Sequence, residues 1–284
     1  MKSLVTFLVA VVCLAGSLNP ARAAEERILF MAGAAAQPVV EPLAKAFEAA
    51  TGIKVDVSIG GSGMLLSQIK LSRQGDVYFP GSIDFIDKAA KEGLIDESTV
   101  TPVVYLVPAI NVQRGNPRNI ASLKDLCRPG LKVAIAHPET VCLGVFAVEL
   151  VERLFTPEEK RAFRANLVTY TESCEKTAAA ISLKTVDAVI GWSVFEHWNP
   201  ELIQSVKLPP EEVVRISYLA VAVTKNSRHV EAAKKFVEFM KSPEGLEFFK
   251  KFHYFTTPGE ALEYLGAERP VGGAPYEVPA EWMK

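Results

Sequence analysis

The sequence has few cysteines, no excess of basic charge and no long apolar segment after its first residues. Four cysteines among 284 residues are too few for a scaffold held by disulfides. The 31 lysines and arginines are scattered and are balanced by 33 acidic residues, which argues against a nucleic-acid partner. No later run reaches ~18 uninterrupted apolar residues, the length of a membrane span. These absences favour a globular protein of one large domain or two lobes.

The first residues have the pattern of a secretory signal. Lys2 precedes an apolar run over residues 4–16, and Ala21-Arg22-Ala23 is a small-x-small cleavage site. We expect cleavage after Ala23, which sends a mature chain beginning at Ala24 to the periplasm. Cys13 lies inside the apolar run and follows Val12, where a lipid-attachment site would need a small residue.

Residues 53–71 predict a strand, a tight loop and a helix. Alternate apolar residues from Ile53 to Ile59 predict the strand, and the loop is Gly60-Gly61-Ser62-Gly63. Glycines let backbone N–H groups approach a bound group, and the following helix begins with its positive dipole end there. The loop is therefore a candidate anion site, although on this loop alone Ser62 as a simple helix cap is the favoured explanation, and only the repetition of the unit along the chain supports the anion site. Met64 and Leu66 stand where a nucleophile elbow and a dinucleotide fingerprint need glycine.

Units of this kind recur along the chain and predict an α/β fold. They cover residues 28–50, 76–92, 131–154, 166–183 and 186–198. In such sheets the ligand lies outside the carboxyl ends of the strands. Two long apolar runs, 103–112 and 218–224, separate two clusters of units and are typical of segments that cross between lobes.

We therefore predict two lobes, each a mostly parallel sheet flanked by helices, joined by two crossing segments. Residues 1–23 are the signal peptide, residues 24–105 with 218–257 form lobe 1, and residues 106–217 form lobe 2. Residues 258–284 contain several prolines and glycines and are expected to be a loosely attached tail.

Several motifs resemble the periplasmic molybdate- and tungstate-binding proteins of ABC importers, which have the type II solute-binding fold. The resemblance covers residues 28–254. It is carried by Ile28-Leu-Phe-Met-Ala-Gly-Ala-Ala, Phe47-Glu-Ala-Ala-Thr-Gly-Ile-Lys-Val, Gly60-Gly-Ser-Gly-Met-Leu, His137-Pro-Glu-Thr-Val-Cys-Leu-Gly144, Ala188-Val-Ile-Gly-Trp192 and Ser242-Pro-Glu-Gly245.

The resemblance implies a tetrahedral oxyanion held by hydroxyls and backbone N–H groups in a cleft between the lobes. It also implies delivery to a membrane permease, a monomer and no cofactor or enzymatic activity. Ser62 matches the family's central serine. The implied ligand-binding residues are Ala34, Ala35, Gly61, Ser62, Gly63, Cys142, Leu143, Gly144, Glu175 and Trp192.

Three of these positions depart from the family pattern. Alanine stands at 34–36 where the family usually offers a hydroxyl, and Trp192 occupies the usual tyrosine position. Glu175 would bring a negative charge near an anion unless its side chain points away or is protonated. The ligand could therefore differ from molybdate.

Two other readings follow from the cysteines. A soft metal ion could bind to His137, Cys142, Cys174 and Glu175, although a disulfide between Cys142 and Cys174 explains the same residues with no metal. A secreted hydrolase would use one of these thiols with His137 as its base. An oxidising compartment disfavours the free thiol that a hydrolase needs.

Overall fold

The computed structural model describes residues 26–283. The predicted signal peptide, its cleavage after Ala23 and Cys13 lie outside these residues. Between residues 26 and 283 no helix is both long and apolar enough to cross a membrane.

The first lobe is built on a five-stranded sheet with the strand order β2-β1-β3-β10-β4. The neighbours β2, β1 and β3 are parallel, whereas β10 runs antiparallel to both β3 and β4. The strands are β1 Arg27–Gly33, β2 Lys54–Gly60, β3 Val77–Phe79, β4 Thr101–Leu106 and β10 Ser217–Val223. The helices that accompany them along the chain are α1 Gln37–Thr51, α2 Ser62–Ser72, α3 Ile83–Lys91, α8 Val230–Lys241 and α9 Pro243–Lys250.

The second lobe repeats this plan with the strand order β7-β6-β8-β5-β9. Here β7, β6 and β8 are parallel, and β5 runs antiparallel to β8 and β9. The strands are β5 Pro108–Gln113, β6 Val133–Ala136, β7 Leu167–Thr171, β8 Ala188–Trp192 and β9 Ile203–Lys207. The helices are α4 Cys142–Leu154, α5 Pro157–Asn166, α6 Cys174–Ser182 and the short α7 Phe195–Trp198.

The predicted fold of two α/β lobes, each with a mostly parallel sheet, is confirmed: in each sheet four of the five strands run in one direction, and the reversed strand is β10 in the first lobe and β5 in the second. Both reversed strands are those by which the chain enters a lobe from the other one. β4 and β5 are separated only by Val107 and lie in different sheets. A strand that enters a sheet directly from the neighbouring lobe has no crossover helix to turn it parallel, so it pairs antiparallel.

The last residues are anchored by a few buried side chains, so the prediction of a loosely attached tail is wrong. After Tyr254, which belongs to the core around the first sheet, the chain forms α10 Pro258–Leu265 and buries Ala261 and Leu265 in the core of the second lobe. Trp282 is completely buried there. The chain therefore crosses between the lobes a third time. The prolines and glycines that suggested mobility lie in a segment that the buried Trp282 side chain holds in place.

Buried side chains form a continuous core across the gap between the lobes. Cys142, Cys174 and Trp192 of the second lobe belong to the same buried cluster as Phe30, Phe79 and other residues of the first. The structure is therefore a closed form, in which the facing loops of the two lobes exclude water from the predicted cleft.

Candidate functional site

The six parallel strands end where the two lobes meet. In the first lobe β1, β2 and β3 lead into the α1, α2 and α3 segments, and in the second lobe β6, β7 and β8 lead into α4, α6 and α7. The loops after these ends are in contact, because the N–H of Gly63 donates to the carbonyl of Thr140 at 2.8 Å. Nearly all the sequence-predicted ligand residues lie on these loops.

Ser62 is buried at this meeting point and is held by two hydrogen bonds. Its Oγ accepts from the N–H of Gly81 at 3.0 Å, and its carbonyl accepts from the hydroxyl of Tyr78 at 2.8 Å. The N-cap of α2 is Gly61, and the Ser62 side chain does not cap the helix, so the alternative of a simple cap is wrong. Because the oxygen accepts from Gly81, the hydroxyl hydrogen is the group that can donate to a ligand.

Gly61 and Gly63 lie against the opposite lobe. A Cβ on Gly61 would stand 2.7 Å from the carbonyl oxygen of Thr140 and 2.9 Å from that of Glu172, so only glycine allows this approach. The prediction that the Gly63 amide donates to a ligand is wrong for the closed form, since that N–H already donates to Thr140.

Ala34 and Ala35 form part of a buried 3-10 turn directly after β1. The carbonyl of Ala35 accepts from the hydroxyl of Tyr254 at 2.7 Å, and burial raises the pKa of that phenol well above its usual value. A Cβ placed on Gly81 would lie 2.7 Å from the Ala35 Cβ and 2.5 Å from the Cys142 Sγ. Residues from both lobes are thus brought to one point beside Ser62.

Cys142, Leu143 and Gly144 begin α4, where the first N–H groups have no partner within the helix. All three are buried. The N–H of Gly144 is not available to a ligand, because it donates to the carbonyl of Val141 at 3.0 Å. The N–H of Leu143 also lies close enough to the Cys174 sulfur to lower the pKa of that thiol, so Cys142 is the remaining candidate donor at the start of α4.

Cys174 and Glu175 begin α6 and point in opposite directions. Cys174 is buried and its thiol contacts that of Cys142, while the Glu175 side chain is exposed. Burial raises the pKa of Cys174, and the hydrogen bond with the Cys142 thiol raises it further. Both cysteines are free in the structure. Because the Glu175 side chain is exposed, it does not bring its negative charge into the buried site, so the unfavourable case raised by the sequence does not arise.

Trp192 ends β8 inside the core, with its ring edge-on to Phe146 at 5.1 Å between centroids. Its buried indole N–H has no hydrogen-bond partner among the described residues. It lies near the Cys174 sulfur, close enough to lower the pKa of that thiol but outside hydrogen-bond geometry. A buried donor without an acceptor is costly, so the indole is a group that a ligand could satisfy.

The alternative metal site is not assembled. Within residues 26–283 no three histidine, cysteine, aspartate or glutamate side chains are grouped so that they could hold a metal ion. His137 packs its ring on Tyr170, and its Nδ1 accepts from the N–H of Glu139 at 3.3 Å.

Several residues that build the site were not predicted from the sequence. Gly81, Tyr78 and Tyr254 support Ser62 and Ala35, and Thr140 joins the lobes. Gly81 comes between β3 and α3 as Gly61 comes between β2 and α2, and this repetition was the available signal. The tyrosines are distant in sequence from the groups that they bond, so no local pattern reveals them.

Two mixed α/β lobes that enclose a buried group of hydroxyl, amide and indole donors at their strand ends define a solute-binding protein. The family model described as bacterial extracellular solute-binding protein matches residues 28–255. The chain belongs to this family.

Individual relatives agree with the sequence resemblance to molybdate-binding proteins. The chain is 27% identical over 223 residues to a putative binding protein of Haemophilus influenzae, covering 77% of this chain and 86% of that protein. It is 25% identical over 239 residues to the molybdate-binding protein ModA of Rhodobacter capsulatus, covering 82% and 90%. Among solved structures, the sulfate-binding protein SubI of Mycobacterium tuberculosis has a TM-score of 0.72 at 19% identity, with 87% and 93% coverage.

Proposed function

We propose that the protein captures a small oxyanion between its lobes, with molybdate and tungstate as first candidates, and delivers it to the permease of an ABC importer. In this proposal it acts as a periplasmic monomer after removal of residues 1–23, and it binds its solute without chemical turnover. The oxyanion lies among Ser62, the Ala34–Ala35 turn, the starts of α4 and α6, and Trp192.

The proposal rests on one observation. Uncharged hydrogen-bond donors from both lobes come together around the buried Ser62. The starts of α2, α4 and α6 supply N–H groups and the positive ends of three helix dipoles. An oxyanion can gain hydrogen bonds there without a neighbouring cation. The similarity to molybdate-binding and sulfate-binding proteins supports the same ligand class.

A panel of ligands tests this function directly. Thermal unfolding of the exported chain is measured with molybdate, tungstate, sulfate and phosphate, and with Cu(I) and Zn²⁺ as soft-metal probes. A ligand at 100 times its dissociation constant stabilises by ~2.7 kcal/mol, and calorimetric titration then gives the affinity and the stoichiometry.

Stabilisation by molybdate or tungstate at one ion per chain is the expected result. Stabilisation by sulfate or phosphate alone would keep the oxyanion class and change the ligand. Stabilisation by the metals alone, lost when Cys142 and Cys174 are replaced by serine, would overturn the proposal.

A further inference from the structure

Three charged side chains are buried together at the boundary between the lobes. Arg215, Asp84 and Glu149 are each no more than 6% exposed. Arg215 Nε donates to Glu149 Oε2 at 2.7 Å, and its Nη2 lies 3.0 Å from Asp84 Oδ1. Burying charges costs free energy unless they are well paired, so this group needs a reason beyond filling space.

The three residues come from three different parts of the fold. Asp84 lies in the first turn of α3, in the first lobe, and Glu149 lies in the middle of α4, in the second. Arg215 lies in the segment that leads back to β10, and its neighbours Val213 and Ile216 belong to the second-lobe core. Arg215 and Glu149 therefore both belong to the second lobe, and Asp84 meets them from the first.

The cluster is completed by groups that do not depend on closure. Arg153 pairs with the other oxygen of Glu149 at 3.0 Å, and the Asp84 carboxylate accepts from the Ser82 hydroxyl at 3.0 Å. The Arg215 guanidinium also lies 4.0 Å from the centre of the Phe146 ring. Of all these contacts, the one between Arg215 and Asp84 joins the two lobes.

The cluster also contacts the candidate ligand site. Phe146 packs one face toward Arg215 and is edge-on to Trp192. A shift of Arg215 therefore displaces the aromatic pair that borders the proposed ligand. Packed side chains therefore connect the Arg215–Asp84 contact, where α3 faces α4, to the strand ends at the candidate ligand site.

We propose that Arg215 is an interlobe positioning residue, which docks the Asp84 carboxylate of the first lobe onto the Arg215–Glu149 pair of the second and so favours the closed form. Removing one partner leaves a charge facing the closed boundary without its counter-charge, and opening lets water hydrate it. The ligand then binds to a protein whose closed population is set partly by this ion pair.

The test uses the ligand-free chain, so it does not depend on which solute binds. Asp84→Asn is the main variant, because it keeps the Arg215–Glu149 pair and the shape of the side chain. Glu238→Gln is the control, since it removes one negative charge from an exposed position of the first lobe, on α8. Small-angle X-ray scattering gives the radius of gyration, and hydrogen exchange follows peptides that cover residues 80–90 and 140–150.

Asp84→Asn is expected to increase the radius of gyration and to accelerate exchange in both peptides by roughly tenfold, within the range of interaction energies of contacting residues. Glu238→Gln is expected to leave both measurements at wild-type values. Arg215→Gln should open the lobes as well, and adding Asp84→Asn to it should cause little further change.

Identical scattering and exchange for Asp84→Asn and the wild type would overturn the proposal. A wild-type protein that is already open without ligand would also overturn it, because the pair would then not hold the lobes. Failure of the oxyanion panel with success here would reject the ligand and keep the positioning role, so the two outcomes are distinct.

Discussion

At the scale of single residues, the structure gives Ser62 a role in folding beside the binding role proposed for it. Its hydroxyl oxygen accepts from the buried N–H of Gly81, which leaves the hydroxyl hydrogen available as a donor. A serine chosen for binding alone would be replaceable without loss of stability. The acceptor role predicts otherwise.

We predict that Ser62→Ala weakens both folding and binding. The Gly81 N–H loses its acceptor in a buried position, which costs about 1–3 kcal/mol of the free energy of unfolding. Denaturant unfolding measures this loss, and calorimetric titration with molybdate or another ion that stabilises the wild type measures the loss of affinity. Ser67→Ala, at an exposed position on the same helix, is the control. Wild-type stability in Ser62→Ala would show that another group satisfies Gly81.

His197 is a second residue whose surroundings predict a measurable effect. Burial lowers its pKa, and the stacked ring of His253, 3.7 Å away between centroids, lowers it further, while Glu196 opposes this. The folded pKa then lies below the unfolded value of ~6.5. The unfolded chain binds more protons between these two values, so stability is complete above ~6.5 and declines as the pH falls toward the folded pKa.

The predicted outcome is a smaller acid-induced loss of stability in His197→Gln than in the wild type between pH 7 and pH 5. Carboxylates titrate in both proteins, so the difference between the two curves isolates the histidine. His229→Gln, at an exposed position, is the control. Parallel curves for His197→Gln and the wild type would refute the effect.

At the scale of elements, the tail behaves as part of the second lobe. The Trp282 Nε1 donates to Glu152 Oε1 at 2.8 Å, and Arg164 lies 3.8 Å from the centre of its ring. Val271 pairs with Ile216 next to Arg215. A groove with a volume of about 400 Å³ lies between α3, Pro138 and the tail, and Tyr276 lines part of it. The tail thus borders both the second-lobe core and the mouth of the cleft.

We predict that Trp282→Ala costs about 3–5 kcal/mol of the free energy of unfolding, the range for removing a large buried aromatic side chain. Met283→Ala, at the neighbouring residue that is 36% exposed, should change it by no more than ~0.5 kcal/mol. Denaturant unfolding followed by circular dichroism measures both. Equal stabilities for the two variants would restore the earlier expectation of a loose tail.

At the scale of the whole molecule, binding depends on how closely the two lobes approach. The contacts around Gly61 bring backbone of the first lobe against backbone of the second. Neither can move aside as a flexible side chain would. A small side chain added at Gly61 therefore affects how closely the lobes approach and not the packing within either lobe.

Gly61→Ala is predicted to keep the lobes apart. The new Cβ would meet carbonyl oxygens of Thr140 and Glu172 below 3.0 Å, whereas Gly61 has no left-handed backbone conformation that alanine would strain. We expect a larger radius of gyration by small-angle scattering and a loss of affinity of at least about tenfold, since a ligand binds in proportion to the closed population. Gly259→Ala is the control, because the nearest atom to its added Cβ would be Thr257 Oγ1 at 3.9 Å, an ordinary van der Waals distance. Unchanged affinity would mean that the solute binds without this approach.

The residues by themselves determined the class of the fold. Period-two strands, glycine loops and amphipathic helices are local patterns, and their order along the chain is enough for two α/β lobes with ligand groups at the strand ends. The same local signals marked the Gly60–Gly63 loop and the start of α4. They could not assign partners to hydrogen bonds, because Gly63 meets Thr140, and Ser62 meets Gly81, only after the chain has folded.

Only the tertiary structure decided the direction of the crossing strands, the anchoring of the tail and the pairing of buried charges. Each depends on contacts between residues far apart in sequence. Arg215 lies 131 positions from Asp84, and Trp282 lies 130 from Glu152. A tail with several prolines and glycines has the composition of a mobile segment, yet one buried tryptophan outweighs that composition. The free energy gained by burying residues that are far apart in sequence cannot be estimated from any short stretch of the chain. The crossing strands, the tail anchor and the buried ion pairs could therefore be recognised only in the folded chain.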